Sequence, residues 1–461
     1  MFLLAVLGCA SRQPPPPPGT GAAAAADLVG FVDYLRAVHP EPHRFTTAED
    51  LSALVAAQAG ALAAQTAPTE LEVGRAFHTV LAAVGDAHIK VGLSLYQGDA
   101  PLSLLPLFPR RIEGTYVADA ATGLPDGATL LAIDHQPMAA LEAELLRLVI
   151  SEGLGSVPRA RALEADFPRY FHLARGMADT YTVTARLSDG SEQDIVLDGL
   201  SRAEFSALRP ERRSLRWGTA APAPTLTDLG GGTALLRLPS FGSADMDGYQ
   251  AQIDALFAAL SPSVDTLVVD VRGNIGGLRP NAFAVLDHVL GTPYPQWDGV
   301  DAKVNTFPSV SPARLSFPFV PEDNLTQRFP GRPPHTFAGD PLADAMAPTG
   351  TFGGAVVVFA DGLTNSAANT FVLALKQHRE NVTVVGEELG GECAQHIGEF
   401  PLAYHTAGYP LVILHSVLRV RHVGVEGCVF GRGLAPDVPV VETLSDFYGS
   451  VDPYLRTLAE R

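Results

Sequence analysis

Two turns hold the residue types that acyl transfer needs. GLTNSAANTF (Gly362–Phe371) follows the apolar run AVVVFA and runs into the helical stretch NTFVLALKQH, so Ser366 stands where a buried strand gives way to a helix. A serine there can cap the helix or act as a nucleophile. The second turn, RGNIGG (Arg272–Gly277), ends another apolar strand, DTLVVDV. Its glycines let backbone N–H groups approach a ligand with no Cβ in the way. Both turns leave the C-terminal ends of strands, where open α/β sheets bind ligands. The positive end of a helix dipole and the Ala367 N–H adjoin Ser366, and such donors stabilise the oxyanion of a tetrahedral intermediate. Rossmann, P-loop, HExxH and GxSxG fingerprints are absent.

The elements that must position these turns change texture along the chain. Alanine- and leucine-rich helical periodicity covers about residues 24–84, broken at HPEPHRF, and GDAHIKVGL then turns into a short strand. His39 and His43 in HPEPH form no shared helical face because Pro40 and Pro42 interrupt it, so they mark a helix break. Short strands with Gly and Asp turns follow to about Gly199: RIEGTYVADA, ATLLAIDH, YTVTARL and QDIVLDGL, interrupted by one helix, MAALEAELLRLVI. From Thr225 continuous β-branched runs alternate with helices, which predicts βαβ units around a largely parallel sheet. A Pro-rich stretch, about 291–353, has the length of a lid or rim.

With 461 residues and 47% hydrophobic content the chain has material for several domains. The formal net charge of −18 excludes nucleic acid as a partner, since no basic stripe is available to neutralise phosphates. At the N-terminus Phe2–Leu7 is too short to span a bilayer, and Val6-Leu7-Gly8-Cys9 resembles a bacterial lipobox, which makes Cys9 a lipidation site and the Pro-rich run after it a tether. Cys393 and Cys428 are then the remaining cysteines, and an export compartment favours a disulfide between them. CxxH at Cys393 and His396, matched by His422 and Cys428, is the weaker zinc alternative. The expected localisation is the bacterial envelope, periplasmic or membrane-anchored, with membrane contact only through the lipid.

LVVDVRGNIGG, VVVFADGLTNSAANTFVLAL, VVGEELGG and GRGLAPDV stand in the order and spacing of one family, which the chain resembles from about residue 30 onward: the C-terminal processing (tail-specific) serine proteases and the tricorn protease core. HPEPH and VGDAHIKVG resemble segments of the tricorn-like branch. LPDGATLLAIDHQPMAAL resembles a PDZ-like turn, with His135 where glycine is usual. The resemblance implies an α/β multidomain chain: 1–23 signal and tether, 24–98 helical domain, 99–200 PDZ-like β module, and 201–461 a ClpP/crotonase-like α/β core.

It also implies roles. Ser366 matches the nucleophile, and Ala367 with Gly276 or Gly277 matches the oxyanion hole. One branch of the family takes its base from a lysine in the segment that here reads GEELGGE, where Glu392 occupies the place of the lysine. Lys376 lies ten residues along the helix from Ser366, roughly 15 Å away at the helical rise. The tricorn-like branch uses a histidine, matched by His88, whose neighbour Ala87 replaces a second serine. Glu426 is the chosen orienting carboxylate, with Asp86 and Glu392 as rivals. Lys90, two residues after His88 on the same strand face, reads as a solvated charge. The implied function is a serine endopeptidase acting on peptides or unfolded protein tails through an acyl-enzyme, with no metal or organic cofactor. The alternatives are a catalytically inactive, peptide-binding scaffold lipoprotein and an esterase of small acyl esters.

Overall fold

The computed structural model describes residues 19–96, 102–125, 127–212, 223–295, 297–306, 315–316, 335–336 and 352–461; Cys9 and most of the Pro-rich 291–353 stretch lie outside them. Among the described residues three helices come first, α1 (Gly21–Val38), α2 (Ala48–Ala63) and α3 (Glu70–Val84). Each starts at a threonine (Thr20, Thr47, Thr69) whose hydroxyl accepts a backbone N–H, satisfying a donor that helix geometry leaves open. α3 ends at Gly85, in the left-handed region at φ 73°, as a glycine C-cap allows. The chain then turns through Asp86 and Ala87 into β1 (Lys90–Leu93).

The next region holds β2 (Leu107–Ile112), β3 (Thr115–Ala121), β4 (Thr129–Ile133), β5 (Gln136–Pro137), α4 (Met138–Leu145), α5 (Ser156–Ala165), α6 (Phe167–Arg175), β6 (Thr180–Arg186), β7 (Glu192–Asp198) and α7 (Arg202–Leu208). Its sheet runs β2-β3-β4-β6-β7, with β5 on β4. RIEGTYVADA is a hairpin rather than one strand: Glu113 (φ 50°) and Gly114 (φ 79°) form its turn, the conformation that two-residue hairpin loops demand. Asp134 (φ 46°) and His135 (φ 62°) make a second such turn. Helices α5 and α6 go beyond the single helix expected up to about Gly199.

The remainder contains β8 (Thr225–Gly230), β9 (Thr233–Arg237), α8 (Met246–Ala258), β10 (Thr266–Asp270), α9 (Arg279–Val289), β11 (Gly299–Ala302), β12 (Leu315–Ser316), β13 (His335–Thr336), β14 (Ala355–Ala360), α10 (Ala367–His378), β15 (Val382–Gly386), β16 (Gln395–His405), β17 (Leu411–Arg421), β18 (Val438–Pro439), α11 (Leu444–Gly449) and α12 (Pro453–Ala459). One sheet runs β18-β15-β14-β10-β9-β8, parallel from β9 to β18 with β8 antiparallel at its edge. Leu267, Val268 and Val269 of β10 are fully buried, which is why this strand reads as a continuous apolar run.

A second, antiparallel sheet was not legible in the sequence. β16 and β17 form a long hairpin with a bulge between His396 and Glu399. β17 also pairs with β1, Lys90 opposite Leu414 and Leu93 opposite Leu411. Phe31 and Phe77 of the N-terminal helices, Leu141 and Tyr181 of the second region, and Leu402 and Ile413 of the hairpin belong to one apolar interior. That packing brings the turn after α3 to the C-terminal end of the parallel sheet.

Candidate active site

Ser366 precedes α10 but does not cap it: its side chain makes no cap hydrogen bond, and its backbone sits at φ 53°, ψ −126°. A non-glycine residue there carries roughly 1–3 kcal/mol of strain, which the surroundings must over-determine. They do so by tying the two turns together. The Asp361 carboxylate accepts the N–H groups of Gly273 (3.0 Å) and Leu363 (3.0 Å), and the Thr364 hydroxyl donates to the Val271 carbonyl (3.1 Å). Asn365 N–H donates to the Asn274 carbonyl (3.2 Å), and Ser366 N–H to Asn365 Oδ1 (2.6 Å). Freed from capping, the Ser366 hydroxyl points outward from the helix.

Gly276, at φ 96°, lies directly against the serine. A Cβ there would stand 2.7 Å from Ser366 Cβ and 2.8 Å from the Ala367 nitrogen. Its N–H is held by Asn274 Oδ1 (2.9 Å). Gly277, at φ 139°, packs instead on the backbone of Phe241 and Gly242, where a Cβ would come within 2.4 Å of the Gly242 nitrogen. Ala367 is the first residue of α10, so its N–H has no acceptor within the helix.

Opposite Ser366 Oγ, at 3.1 Å, is His88 Nε2, from 278 residues earlier in the chain. The Gly85 C-cap and the pairing of β1 with β17 place it there. Its other nitrogen, Nδ1, faces Asp86 Oδ1 at 3.4 Å and Glu152 Oε2 at 3.7 Å. Asp86 also accepts the His88 backbone N–H (2.7 Å) and meets His39 Nε2 (3.1 Å). The Glu41 N–H donates to His39 Nδ1 (3.2 Å), so the His39 proton is on Nε2 and donates to Asp86. Glu152 Oε2 accepts the Ala87 N–H (3.1 Å).

Burial alone would lower the His88 pKa, but the paired carboxylates outweigh it and hold the imidazole up at about 9. Burial pulls Asp86 upward, and its hydrogen bonds with His39 and His88 overcome it, leaving its carboxyl well below the usual range. Glu152 is shifted up by burial.

Several expected residues fall elsewhere. Glu426 is exposed, in a shallow depression beside Lys376, Gln377 and Asp437. The carboxylates that face His88 Nδ1 are instead those of Asp86, one of the rivals, and Glu152. The reason is local: the disulfide between Cys393 and Cys428 pins the segment after β17 as an exposed loop. That disulfide also removes both thiolates from the zinc alternative, and His396 and His422 bond each other instead (2.6 Å). Glu392 is buried, gripped by Arg44 (2.6 and 3.1 Å) and by the Gly431 N–H (3.0 Å). Lys376 pairs with Asp437 (2.9 Å). Asp86, His88 and Glu152 are also the grouping among the described residues whose donor atoms lie within 4.8 Å of one another, close enough to share a cation.

His39 does mark a helix break, as the C-cap of α1, and it is also buried against Asp86. Its proximity to HPEPH prolines hid it, and only the match of that segment hinted at a site. Glu152, in SEGLG, carried no signal beyond being an acid in an apolar context.

Residues 232–409, which include both turns and Ser366, match the model of peptidase family S41. No curated protein matches the chain in sequence. Among solved structures, mature CPAF is 15% identical over 95% of this chain and 96% of its own, with a TM-score of 0.64. Mature CPAF complexed with lactacystin is 14% identical over 95% and 97%, with a TM-score of 0.61. At that identity the likeness is one of fold. The photosystem II D1 C-terminal processing protease, 15% identical over 90% and 93%, superposes more loosely, with a TM-score of 0.40. Over residues 232–409 the chain is therefore similar to peptidase family S41, a serine protease family.

Proposed function

We propose that the protein is a serine endopeptidase in which Ser366 is the nucleophile and His88 the general base. The 3.1 Å contact between Ser366 Oγ and His88 Nε2, made across 278 residues, carries the reading. Neutral His88 takes the hydroxyl proton as Ser366 Oγ bonds to the substrate carbonyl carbon. The resulting oxyanion lies by the Ala367 N–H and the 272–277 turn. Imidazolium His88 returns the proton to the leaving amine as the C–N bond breaks, and water then hydrolyses the acyl-enzyme by the same path. Asp86 and Glu152 orient the ring and stabilise its charge, and His39 fixes Asp86. No step requires a metal or organic cofactor.

Substrates are peptides or unfolded protein tails, lying in the cleft between the 85–88 turn and the parallel sheet. The Cys393–Cys428 disulfide accords with export to the envelope, with Cys9 as the lipidated residue. The test is cleavage of an unfolded protein by wild type, Ser366→Ala and His88→Ala, with thermal melting as the folding control. Cleavage lost in both folded variants supports the reading. Cleavage retained in Ser366→Ala assigns the nucleophile elsewhere, and no cleavage by folded wild type favours the scaffold alternative.

A further inference from the structure

Behind His88 lies a second row of imidazoles that the reaction above does not use. His422 Nδ1 faces the Cys393 carbonyl at 3.3 Å. A carbonyl only accepts, so His422 carries its proton on Nδ1. In the neutral ring its Nε2 is then a bare lone pair, and the 2.6 Å contact to His396 Nδ1 requires His396 to donate. His396 is therefore also protonated on Nδ1. Both rings are buried, and burial holds both below the ordinary imidazole pKa, which keeps them neutral as this chain of donors demands. The relay starts at a half-cystine, since Cys393 is bonded to Cys428.

At its other end the relay meets the base. The His396 and His88 rings lie 5.3 Å apart between centroids, tilted by 30°. Both rest on one backbone point: a Cβ at Gly398 would stand 2.6 Å from His88 Nε2 and 2.7 Å from His396 Cδ2. The bulge between His396 and Glu399 in β16 creates that point. His88 thus has Asp86 and Glu152 at Nδ1, Ser366 at Nε2, and His396 and Gly398 beside its ring. The charged and titratable groups facing His396 are His422, His88, Arg279 and Asp86.

We propose that His396 is a positioning residue for His88: its ring, locked by His422 and the disulfide-anchored Cys393 carbonyl, is the wall that keeps the His88 imidazole turned toward Ser366. The proposal rests on His88 being the base, and its test is built so the two can fail separately. A long-range ¹⁵N–¹H spectrum of the wild-type protein, with peaks assigned through His396→Phe and His422→Phe, reads the tautomers without any activity. Protons on Nδ1 at both rings are expected; a proton on Nε2 at either, the form free histidine prefers, overturns the proposal even if the enzyme is active.

The kinetic arm compares His396→Ala with His396→Phe. Removing the wall is expected to lower kcat by about 10–100-fold, the scale of an ångström-level misplacement, with KM little changed. Phenylalanine, which restores a ring, should recover most of the loss. A kcat for folded His396→Ala within about twofold of wild type, or a folded phenylalanine variant no better than alanine, contradicts the positioning role. If His396→Ala fails to fold, the wild-type tautomers decide alone.

Discussion

The two halves of the site are built on opposite plans. The nucleophile half is compact: Ser366 and the 272–277 turn leave adjacent parallel strands, and hydrogen bonds to Asp361, Asn274 and Asn365 tie the two turns directly to each other. The base half is assembled from afar. His88 with Asp86, and Glu152, His39 and His396, come from four separate stretches, held by β1 pairing with β17 and by a shared apolar interior. One half is strained backbone in a rigid frame; the other is buried charge in a tertiary frame. Each half also relies on one glycine, Gly276 beside the serine and Gly398 beside the histidine.

The comparison can be broken from either side. The largest effects belong to the reacting pair: Ser366→Ala and His88→Ala should each lower kcat by about 10⁴-fold or more, and the double variant by no more than either alone, because the two act as a unit. Additive losses, measured by steady-state peptide cleavage, would mean that they work independently. Asp86→Asn is next, at about 10²–10⁴-fold, with Glu152→Gln smaller. The sign of their pH effect is fixed. The carboxylates raise the His88 pKa to about 9, and the base works only when neutral, so wild-type kcat/KM should climb with pH toward that value. Removing either carboxylate lowers the His88 pKa, so the climb should move to lower pH; a shift to higher pH would remove them as its partners.

The glycines sharpen the contrast at smaller scale. Gly276→Ala and Gly398→Ala each drive a Cβ into a reacting residue, and each should cost about 10²-fold in kcat. Gly276→Ala also meets a left-handed backbone at φ 96° and so should lower the melting temperature more than Gly398→Ala. Equal losses of stability would show the two frames to be alike. Least of all, Glu426→Gln should leave kcat/KM within about twofold, as expected for an exposed carboxylate away from the ring; a large loss would restore it to the site.

These plans also explain what could be read in advance. Ser366, Ala367 and the 272–277 glycines are legible because a strand–turn–helix writes itself in short-range pattern: apolar run, small residues, helical periodicity. His88 was reached by resemblance, since nothing in GDAHIK says where its side chain goes. Asp86 was only a rival, and Glu152 and His39 were missed, because their roles depend on which distant segment packs beside them. The β16–β17 hairpin escaped because Gly398 and Pro401 interrupt the first strand, and such residues demote a strand reading. Glu426 was chosen for its nearness in sequence to GLAPD, a distance that the disulfide loop makes irrelevant.

The central claim is that His88 activates Ser366. The most direct measurement is the rate at which a fluorophosphonate probe labels Ser366 as a function of pH, in wild type and in His88→Ala. Labelling confined to Ser366, with a rate that climbs with pH through a midpoint near 9 in wild type and collapses in folded His88→Ala, is the expected result. Labelling that is unchanged by His88→Ala, or that falls on another residue, would contradict the account.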